Sequence, residues 1–367
     1  MKITQIGKPE IIMQNPDGKH NYFAWPTVTR LQNGKIAVVA SGFRIGHLCP
    51  FGKTVISYSE DEGKSYSAPS PLIDTPLDDR DGGIMAFGEN GVVVTSFNNT
   101  TAFQKRHMNN WTKDEKMRAY YSAYIDTVTP EAEEKYLGSL YRVSHDRGVT
   151  FGPIQKSPVT SPHGPCELPD GTILYVGSPF EYDSKNPPEN IIAAYAVTED
   201  GKSEYRGEIE PIYVDGVRAG VYEPYAFALS DGTVICHIRT EDDKWPSQLF
   251  TVYQSVSKDG GRTWSKPEAI ADKLYGAPPH IMRHSSGTLV ATVGCRVDPT
   301  GIKALFSTDN GKTWQTGYDV CVLDASWDIG YPSTVELSDG SLITVFYAHA
   351  EKDGPAVIMQ QKWRFDE

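Results

Sequence analysis

The 367-residue chain lacks the features that mark several classes of protein. No apolar run approaches the ~18 residues that a membrane-spanning helix needs. The N-terminal segment, MKITQIGKPEIIMQNPDGKH, has no apolar stretch of the kind found in secretory signal peptides. We therefore expect a cytoplasmic protein, or a secreted one if a signal peptide was trimmed from this sequence.

Paired cysteines are also missing. The chain has five cysteines, an odd number with no Cys-x-x-Cys spacing, at Cys49, Cys166, Cys236, Cys295 and Cys321. This pattern favours neither a disulfide framework nor a zinc site, so we expect buried free thiols. No other metal-binding constellation is apparent in the sequence, and no cofactor is expected.

Positive charge is scarce. The chain has 35 Lys and Arg against 47 Asp and Glu, a formal net charge of −12. This balance argues against nucleic acid and anionic membranes as partners. An anionic ligand would need a local cluster of arginines that works against the overall charge.

A repeated hairpin is what the chain has in abundance. The segment 327–347, WDIGYPSTVELSDGSLITVFY, holds two apolar runs around a Ser-Asp-Gly turn, in which glycine can take the left-handed conformation. Similar hairpins recur upstream, and their turn glycines are Gly34, Gly91, Gly171, Gly232, Gly287 and Gly340. Repeats of short strands with a period near 50 residues are typical of propeller blades. The sequence therefore predicts a single all-β domain over 1–367, a six-bladed β-propeller of four-stranded antiparallel blades.

A second motif follows most of these hairpins. It reads Ser-x-Asp-x-Gly-x-Thr-Trp and occurs as SEDEGKSY, SHDRGVTF, SKDGGRTW and STDNGKTW, with a degenerate copy, TEDGKSEY. In such turns the aspartate accepts backbone N–H groups, and we expect each copy to mark the second hairpin of a blade. Blade two carries an insertion of about 98–137, predicted to be a short helix or a lid over one face, or else a surface excursion without a role.

Twelve residues are predicted to surround one mouth of the central channel. The two strands of a hairpin run side by side, so residues at similar distances before and after the turn glycine lie together at the end of the blade opposite the turn. About nine residues before each glycine stand Trp25, Asp81, His163, Glu223, His280 and Tyr331. Seven to ten residues after it stand Arg44, Asn98, Ser178, Arg239, Arg296 and Tyr347. This set is too polar for packing alone and predicts a binding site.

The six hairpins and four Ser-x-Asp turns resemble the sialidase superfamily, whose repeated turn is called the Asp box. The resemblance covers nearly the whole chain. GFRIGH matches a Phe-Arg-Ile-Pro motif at Arg44, with Gly46 in place of the proline. EPYAFALSDGTVICHIR supplies a Glu and an Arg ahead of and after a hairpin, GCRV supplies a third Arg, and Gly330 with Tyr331 matches the pair that holds the nucleophile.

The resemblance implies roles for these residues. Tyr331 would be the nucleophile, Glu223 its base, and Asp81 the acid/base, with Asp78 and Asp79 as neighbouring candidates for that last role. The arginines Arg44, Arg239 and Arg296, with Arg80 beside Asp81, would bind a carboxylate. Guanidinium groups give bidentate bonds to a carboxylate, and a neutral phenol avoids the repulsion that an anionic nucleophile would meet. The implied activity is exo-acting hydrolysis of a terminal anionic sugar, sialic acid or a related one, with retention.

Three histidines at the mouth, His47, His163 and His280, depart from the family pattern. They leave two alternatives open. One is a hydrolase or lyase for another acidic sugar, such as a uronic acid, that uses histidine. The other is a non-catalytic propeller that binds glycans. In each case the expected partner is an acidic glycan or a small acidic sugar.

Overall fold

A computed structural model describes residues 1–179, 191–242, 249–276, 278–323, 327–351 and 354–366. Its strands form six antiparallel sheets whose inner strands contact one another around a ring, with the inner strand of the sixth sheet against that of the first. The ring confirms the predicted six-bladed β-propeller. We call each sheet a blade.

The first strand of the chain, β1 (Lys2–Met13), belongs to the last blade. Blade one contains β2 (Tyr22–Arg30), β3 (Ile36–Arg44), β4 (Lys53–Ser59) and β5 (Ser70–Ile73). Blade two contains β6 (Arg80–Phe87), β7 (Gly91–Phe97), β8 (Ser139–Ser144) and β9 (Gln155–Ser157). In blade three the inner strand is split into β10 (Val159–Thr160) and β11 (Cys166–Glu167), followed by β12 (Ile173–Pro179), β13 (Ile192–Val197) and β14 (Ser203–Ile209).

A small hairpin, β15 (Tyr213–Val214) and β16 (Val217–Arg218), leads into blade four. That blade contains β17 (Gly220–Ala228), β18 (Val234–Glu241), β19 (Phe250–Ser257) and β20 (Glu268–Ala269). Blade five contains β21 (His280–Arg283), β22 (Leu289–Cys295), β23 (Gly301–Ser307) and β24 (Gln315–Val322). Blade six contains β25 (Gly330–Glu336), β26 (Leu342–His349) and β27 (Ala356–Asp366), and β1 pairs with β27 as its outer strand. The two ends of the chain thus share one sheet, which closes the ring.

The hairpin turns follow the sequence prediction in five blades. Their glycines lie in turns with φ between 75° and 93°, a left-handed conformation that glycine adopts without a Cβ clash. Blade two differs, because Gly88 takes the left-handed conformation (φ 51°) and Gly91 begins the next strand. A Cβ on Gly91 would lie 2.5 Å from the ring of Phe87, so close packing rather than turn geometry requires this glycine.

The Asp boxes form the second hairpins, as predicted. In blade four the Ser257 hydroxyl donates to Asp259 at 2.8 Å, and the backbone N–H of Gly261 donates to that hydroxyl at 2.9 Å. The N–H of Thr263 donates to the Asp259 carboxylate at 2.9 Å. Equivalent bonds recur in blades one, two and five.

Three helices occupy the insertion in blade two, α1 (Thr101–Trp111), α2 (Glu115–Ile125) and α3 (Pro130–Tyr136). Side chains of α1 and α2 pack on the loop that follows β3, around the buried Cys49. None of the helices in the described ranges is long and apolar enough to cross a membrane. All five cysteines are buried and unpaired, as expected.

Candidate active site

Four blades share an irregularity at the mouth end of the inner strand. In blades one, two, four and six the inner strand has one extra residue against its partner. Within each bulge a non-glycine residue takes a left-handed conformation: Trp25 (φ 56°), Asp81 (φ 44°), Glu223 (φ 48°) and Tyr331 (φ 53°). These are four of the six residues that stand about nine positions before the turn glycines. The bulge re-aims their side chains away from the regular alternation of the strand.

Tyr331 and Glu223 meet at this mouth. The Tyr331 hydroxyl donates a short hydrogen bond to Glu223 Oε1, and Arg239 Nη1 donates to Glu223 Oε2 at 2.7 Å. Burial and the nearby Glu223 carboxylate raise the pKa of Tyr331 well above its ordinary value, so the phenol is neutral at rest. A phenol in contact with a carboxylate that an arginine orients is an arrangement suited to nucleophilic attack.

Arg239 and Arg296 have different kinds of hydrogen-bond partner. Arg239 Nη2 pairs with Glu241 at 2.6 Å, so this guanidinium is held between two carboxylates. Arg296 lies with its Cζ 5.9 Å from the centre of the Tyr331 ring. Its Nε donates to the carbonyl of Ile329 at 3.0 Å, and its Nη2 contacts the Tyr347 hydroxyl at 3.4 Å.

Asp81 occupies the bulge in blade two and is buried. Burial raises its pKa to about 7, and the Glu223 carboxylate adds to that shift while Arg80 opposes it. Its Oδ1 has no hydrogen-bond partner among the described residues. A carboxyl group that is protonated near neutral pH and has an unengaged oxygen is suited to general acid catalysis.

The two neighbouring aspartates are held by several side chains of the protein. Asp78 pairs with Arg44 at 2.6 Å and Arg80 at 3.3 Å and accepts a bond from Gln104 of α1 at 3.0 Å. Asp79 accepts three bonds from Thr75 and Asn98, although burial also raises its pKa to about 7. These placements favour Asp81 among the three candidates for the acid/base.

Arg44 is fully buried, and the protein itself satisfies its guanidinium. All five N–H groups have acceptors: Asp78 receives two bonds, and the Ser41 hydroxyl and the carbonyls of Gly46 and His47 receive one each. Its side chain is 0% exposed. This placement does not support the prediction that Arg44 binds a ligand carboxylate directly, because it has no donor left to offer.

Trp25 lies between Arg44 and the nucleophile. Its ring is 4.9 Å from Arg44 Cζ, 4.1 Å from Arg80 Cζ and 6.3 Å from the Tyr331 ring. Arg80 donates to the carbonyl of His47 at 3.0 Å in addition to its bond with Asp78. The indole therefore separates Arg44 from the mouth, and Arg80 is the arginine of blade two that borders it.

His163 and His280 form a separate cluster. Their rings are 5.2 Å apart, and both contact Tyr225. His163 Nδ1 lies 3.0 Å from the Thr27 hydroxyl of blade one, across the channel. Burial lowers the pKa of His163 to about 3, so it is neutral. The contacts of these two histidines are with packing residues, and a role in binding ligand stays a prediction for them.

His47 lies at the mouth beside a buried carboxylate that the sequence did not single out. Asp328 accepts hydrogen bonds from the hydroxyls of Tyr22 at 2.8 Å and Tyr347 at 2.9 Å. The rings of His47 and His349 each lie 3.1 Å from its oxygens. Burial opposes ionisation of Asp328, but the hydrogen bonds from the histidines hold its pKa well below the ordinary value.

A family model described as a BNR repeat-like domain matches residues 98–345. The chain belongs to the BNR repeat-like family. No curated protein matches the chain in sequence.

Solved structures agree on the fold of this BNR propeller. A protein of unknown function from Dyadobacter fermentans has a TM-score of 0.75 and 18% identity, with 99% of each chain covered. The NanB sialidase from Streptococcus pneumoniae has a TM-score of 0.66 and 12% identity, covering 98% of this chain and 71% of that one. Trypanosoma rangeli sialidase has a TM-score of 0.60 and 14% identity, covering 99% of this chain and 58% of that one. At these identities the likeness shows a sialidase-type fold and leaves the activity to be argued from the site.

The sequence predicted no role for three residues at the mouth of the BNR propeller, Trp25, Glu241 and Asp328. Trp25 was placed at the mouth without a role, while Glu241 and Asp328 were not considered. Glu241 stands two residues after Arg239, and Asp328 stands three before Tyr331. For Glu241, its place on the same strand as Arg239 is the signal that could have found it, whereas Asp328 lies outside the strand of Tyr331 and offers no such signal. Within the described ranges, no group of three His, Cys, Asp or Glu side chains could hold a metal ion.

Proposed function

We propose that this protein is an exo-acting glycoside hydrolase that removes a terminal anionic sugar, sialic acid or a related one. The hydrogen bond from Tyr331 to Glu223, with Arg239 on the other carboxylate oxygen, carries the proposal. Tyrosine nucleophiles are the exception among glycosidases and suit sugars whose anomeric carbon bears a carboxylate. The sialidase-type fold supports the proposal, but only as an analogy.

In the first step the Tyr331 oxygen attacks the anomeric carbon while its proton passes to Glu223. The bond from that carbon to the leaving oxygen breaks, and Asp81 supplies the proton that the leaving oxygen needs. The product of this step is a tyrosyl glycoside with Asp81 ionised. The raised pKa of Asp81 supports this role, because the group is protonated up to about pH 7.

In the second step Asp81 takes a proton from water, and the water oxygen attacks the anomeric carbon. The bond to Tyr331 breaks, and the phenol regains its proton from Glu223. Two inversions give net retention. Both carboxyl groups return to their starting states.

The anionic group of the sugar is best placed against Arg296, with Arg239 and Arg80 nearby. Among the described residues, Arg296 makes two hydrogen bonds, to a carbonyl and a hydroxyl, and no ion pair with a carboxylate. Arg44 would act one layer behind, through Asp78, by fixing Arg80. In this arrangement arginines still bind the anionic group of the sugar, but Arg296 and Arg80 rather than Arg44 would contact it.

A second candidate is an elimination reaction on a uronic acid. The ring nitrogen Nδ1 of His47 lies 3.1 Å from Asp328 Oδ1, an arrangement that can orient a histidine base. Such a base would remove the proton next to the sugar's carboxylate, and departure of the leaving group would leave a carbon–carbon double bond. Its product is unsaturated, whereas hydrolysis gives a reducing sugar.

The test is a screen of the purified protein against aryl α-sialosides and acidic oligosaccharides. Released reducing sugar and ultraviolet absorbance of an unsaturated product are scored separately. We expect reducing sugar from a sialoside and loss of that activity in Tyr331→Phe. Tyr253→Phe, on the third strand of blade four, is the matched control and should remain active. Unsaturated product instead of reducing sugar would replace the hydrolase by the lyase, and binding without turnover would leave a glycan-binding propeller.

A further inference from the structure

Asp328 is a buried carboxylate that the proposed reaction does not use. It gathers two hydroxyls and two imidazoles from blades one and six: Tyr22, His47, Tyr347 and His349. It is 8% exposed and ionised, which is costly in a protein interior unless several donors compensate it. Asp328 stands three residues before the proposed nucleophile Tyr331, so the cluster around it could influence the site.

We propose that Asp328 is a positioning residue that fixes the ligand-binding arginine Arg296 through Tyr347 and the backbone of Ile329. This inference rests on the proposed function, because it takes Arg296 as the arginine that faces the anionic group of the sugar. It adds residues that do not touch the ligand themselves.

The first link runs through Tyr347. This phenol is fully buried, and burial raises its pKa far above the ordinary value, so it keeps its proton. A hydroxyl has one hydrogen to donate, and Tyr347 gives it to Asp328 Oδ1 at 2.9 Å. The lone pairs of the same oxygen are thereby left for Arg296 Nη2, at 3.4 Å. The carboxylate thus orients the hydroxyl as an acceptor toward the arginine.

The second link runs through the backbone. Ile329 follows Asp328 directly, and its carbonyl accepts the bond from Arg296 Nε at 3.0 Å. Gly330 and Tyr331 come next, at the bulge where Tyr331 takes its left-handed conformation. Anchoring the Asp328 side chain therefore restrains the segment that carries both the arginine's acceptor and the proposed nucleophile.

Two tyrosines allow a matched test. Tyr22→Phe and Tyr347→Phe each remove one buried hydroxyl from Asp328, at 2.8 Å and 2.9 Å. Only Tyr347 also contacts Arg296, so a purely structural role for the cluster predicts equal kinetic effects. We expect KM for an aryl α-sialoside to rise about tenfold in Tyr347→Phe with kcat within about threefold, and both constants to stay within about twofold in Tyr22→Phe. In Asp328→Asn, kcat/KM should fall at least about 100-fold, because both links are lost.

Equal KM values for the two phenylalanine variants would overturn the inference, and so would a crystal structure of Asp328→Asn with Arg296 unmoved. If Asp328→Asn does not fold, the pair of tyrosine variants still decides. Arg296→Gln separates this inference from the proposed function. An unchanged KM in Arg296→Gln would contradict the role of Arg296 in binding the sugar. A large rise of KM in Arg296→Gln, with equal KM values in Tyr22→Phe and Tyr347→Phe, would contradict only the positioning role of Asp328. If the wild type turns over no substrate, crystal structures of the two tyrosine variants decide, since only Tyr347→Phe should displace Arg296.

Discussion

The two ends of the inner hairpins use the same backbone conformation for different purposes. At the turn end, glycines such as Gly232 (φ 85°) take the left-handed conformation. At the mouth end, residues with full side chains take it, at an expected cost of about 1–2 kcal/mol each. Nothing in turn geometry requires a Trp, an Asp, a Glu and a Tyr there.

The difference between the two ends points to the mouth as the candidate site without reference to related proteins. Strained non-glycine residues persist only where the surrounding structure holds them, and they cluster at functional positions. Four of the ten such residues in the described ranges, Trp25, Asp81, Glu223 and Tyr331, lie in the mouth bulges beside the Tyr331–Glu223 hydrogen bond. Three others, Glu62, Arg147 and Asn310, lie in Asp-box turns, where the local turn accounts for the conformation. The turn end has glycine turns and Asp boxes, and we expect it to contribute to folding rather than to function. The following predictions test that division, beginning with the largest expected effect.

Replacing Tyr331 with Phe should lower kcat by several orders of magnitude. The change removes only the reacting oxygen, so the fold and the affinity for a sialic acid ligand should remain. Steady-state kinetics and isothermal titration calorimetry measure the two quantities. Near wild-type turnover would place the nucleophile elsewhere, with His47 as the first candidate.

Asp81 should give the activity a basic limb. As pH rises through about 7, the carboxyl loses the proton that the leaving oxygen needs, so kcat should fall. Asp81→Asn should lower kcat about 100- to 1,000-fold with poor leaving groups and less with an activated aryl one. A pH–rate profile without a basic limb would remove Asp81 from this role.

The same raised pKa predicts that the stability of the fold also decreases as pH rises. The folded state holds the Asp81 proton more tightly than the unfolded chain, whose pKa is near 3.8, so the stabilisation is complete below that value and is lost as pH rises through about 7. Three pKa units correspond to at most about 4 kcal/mol. Asp81→Asn should therefore raise Tm relative to the wild type more at pH ~8 than at pH ~5. Thermal unfolding at the two pH values measures the difference, and an equal shift at both would contradict it.

Arg44 and Arg296 should behave in opposite ways. Arg44→Gln breaks a fully buried pair and should destabilise the fold by about 3–5 kcal/mol with little change in ligand affinity. Arg296→Gln should leave stability nearly unchanged and weaken binding by about 2–4 kcal/mol. Denaturant unfolding and calorimetry check the pair, and Arg44→Lys is the milder variant if Arg44→Gln does not fold. A stable Arg44 variant that no longer binds would restore the predicted arginine triad.

The smallest effect is expected at the turn end. Gly232→Ala places a Cβ in open space, so only backbone strain opposes it, about 1 kcal/mol. Activity should not change, because the turn lies at the far end of the hairpin from Tyr331. A loss of activity without loss of stability would show that the turn end contributes to function.

Much of this protein could be predicted from local patterns. Six recurring hairpins in the sequence predicted the blade count, because each hairpin is a short-range structure. Counting from the glycines also placed Glu223 and Tyr331 at one mouth, because a single bulge in each strand shifts the register by only one residue. The turn of blade two was predicted wrongly at Gly91, because Gly88 takes the left-handed conformation while Gly91 begins the next strand and packs against the Phe87 ring.

Only the tertiary structure shows which of the mouth residues are engaged by other side chains. Arg44 and Arg296 stand at similar distances from their turn glycines, yet the described structure gives every N–H group of Arg44 an acceptor and gives Arg296 two hydrogen bonds. The choice among three aspartates likewise depended on partners from other elements, such as Asn98 and Gln104. The acceptor of four side chains from two blades, Asp328, has no local signature at all. Hairpin register is set by residues close together in the chain, whereas burial and hydrogen bonding join residues far apart in it, such as Tyr22 and Asp328, 306 positions apart.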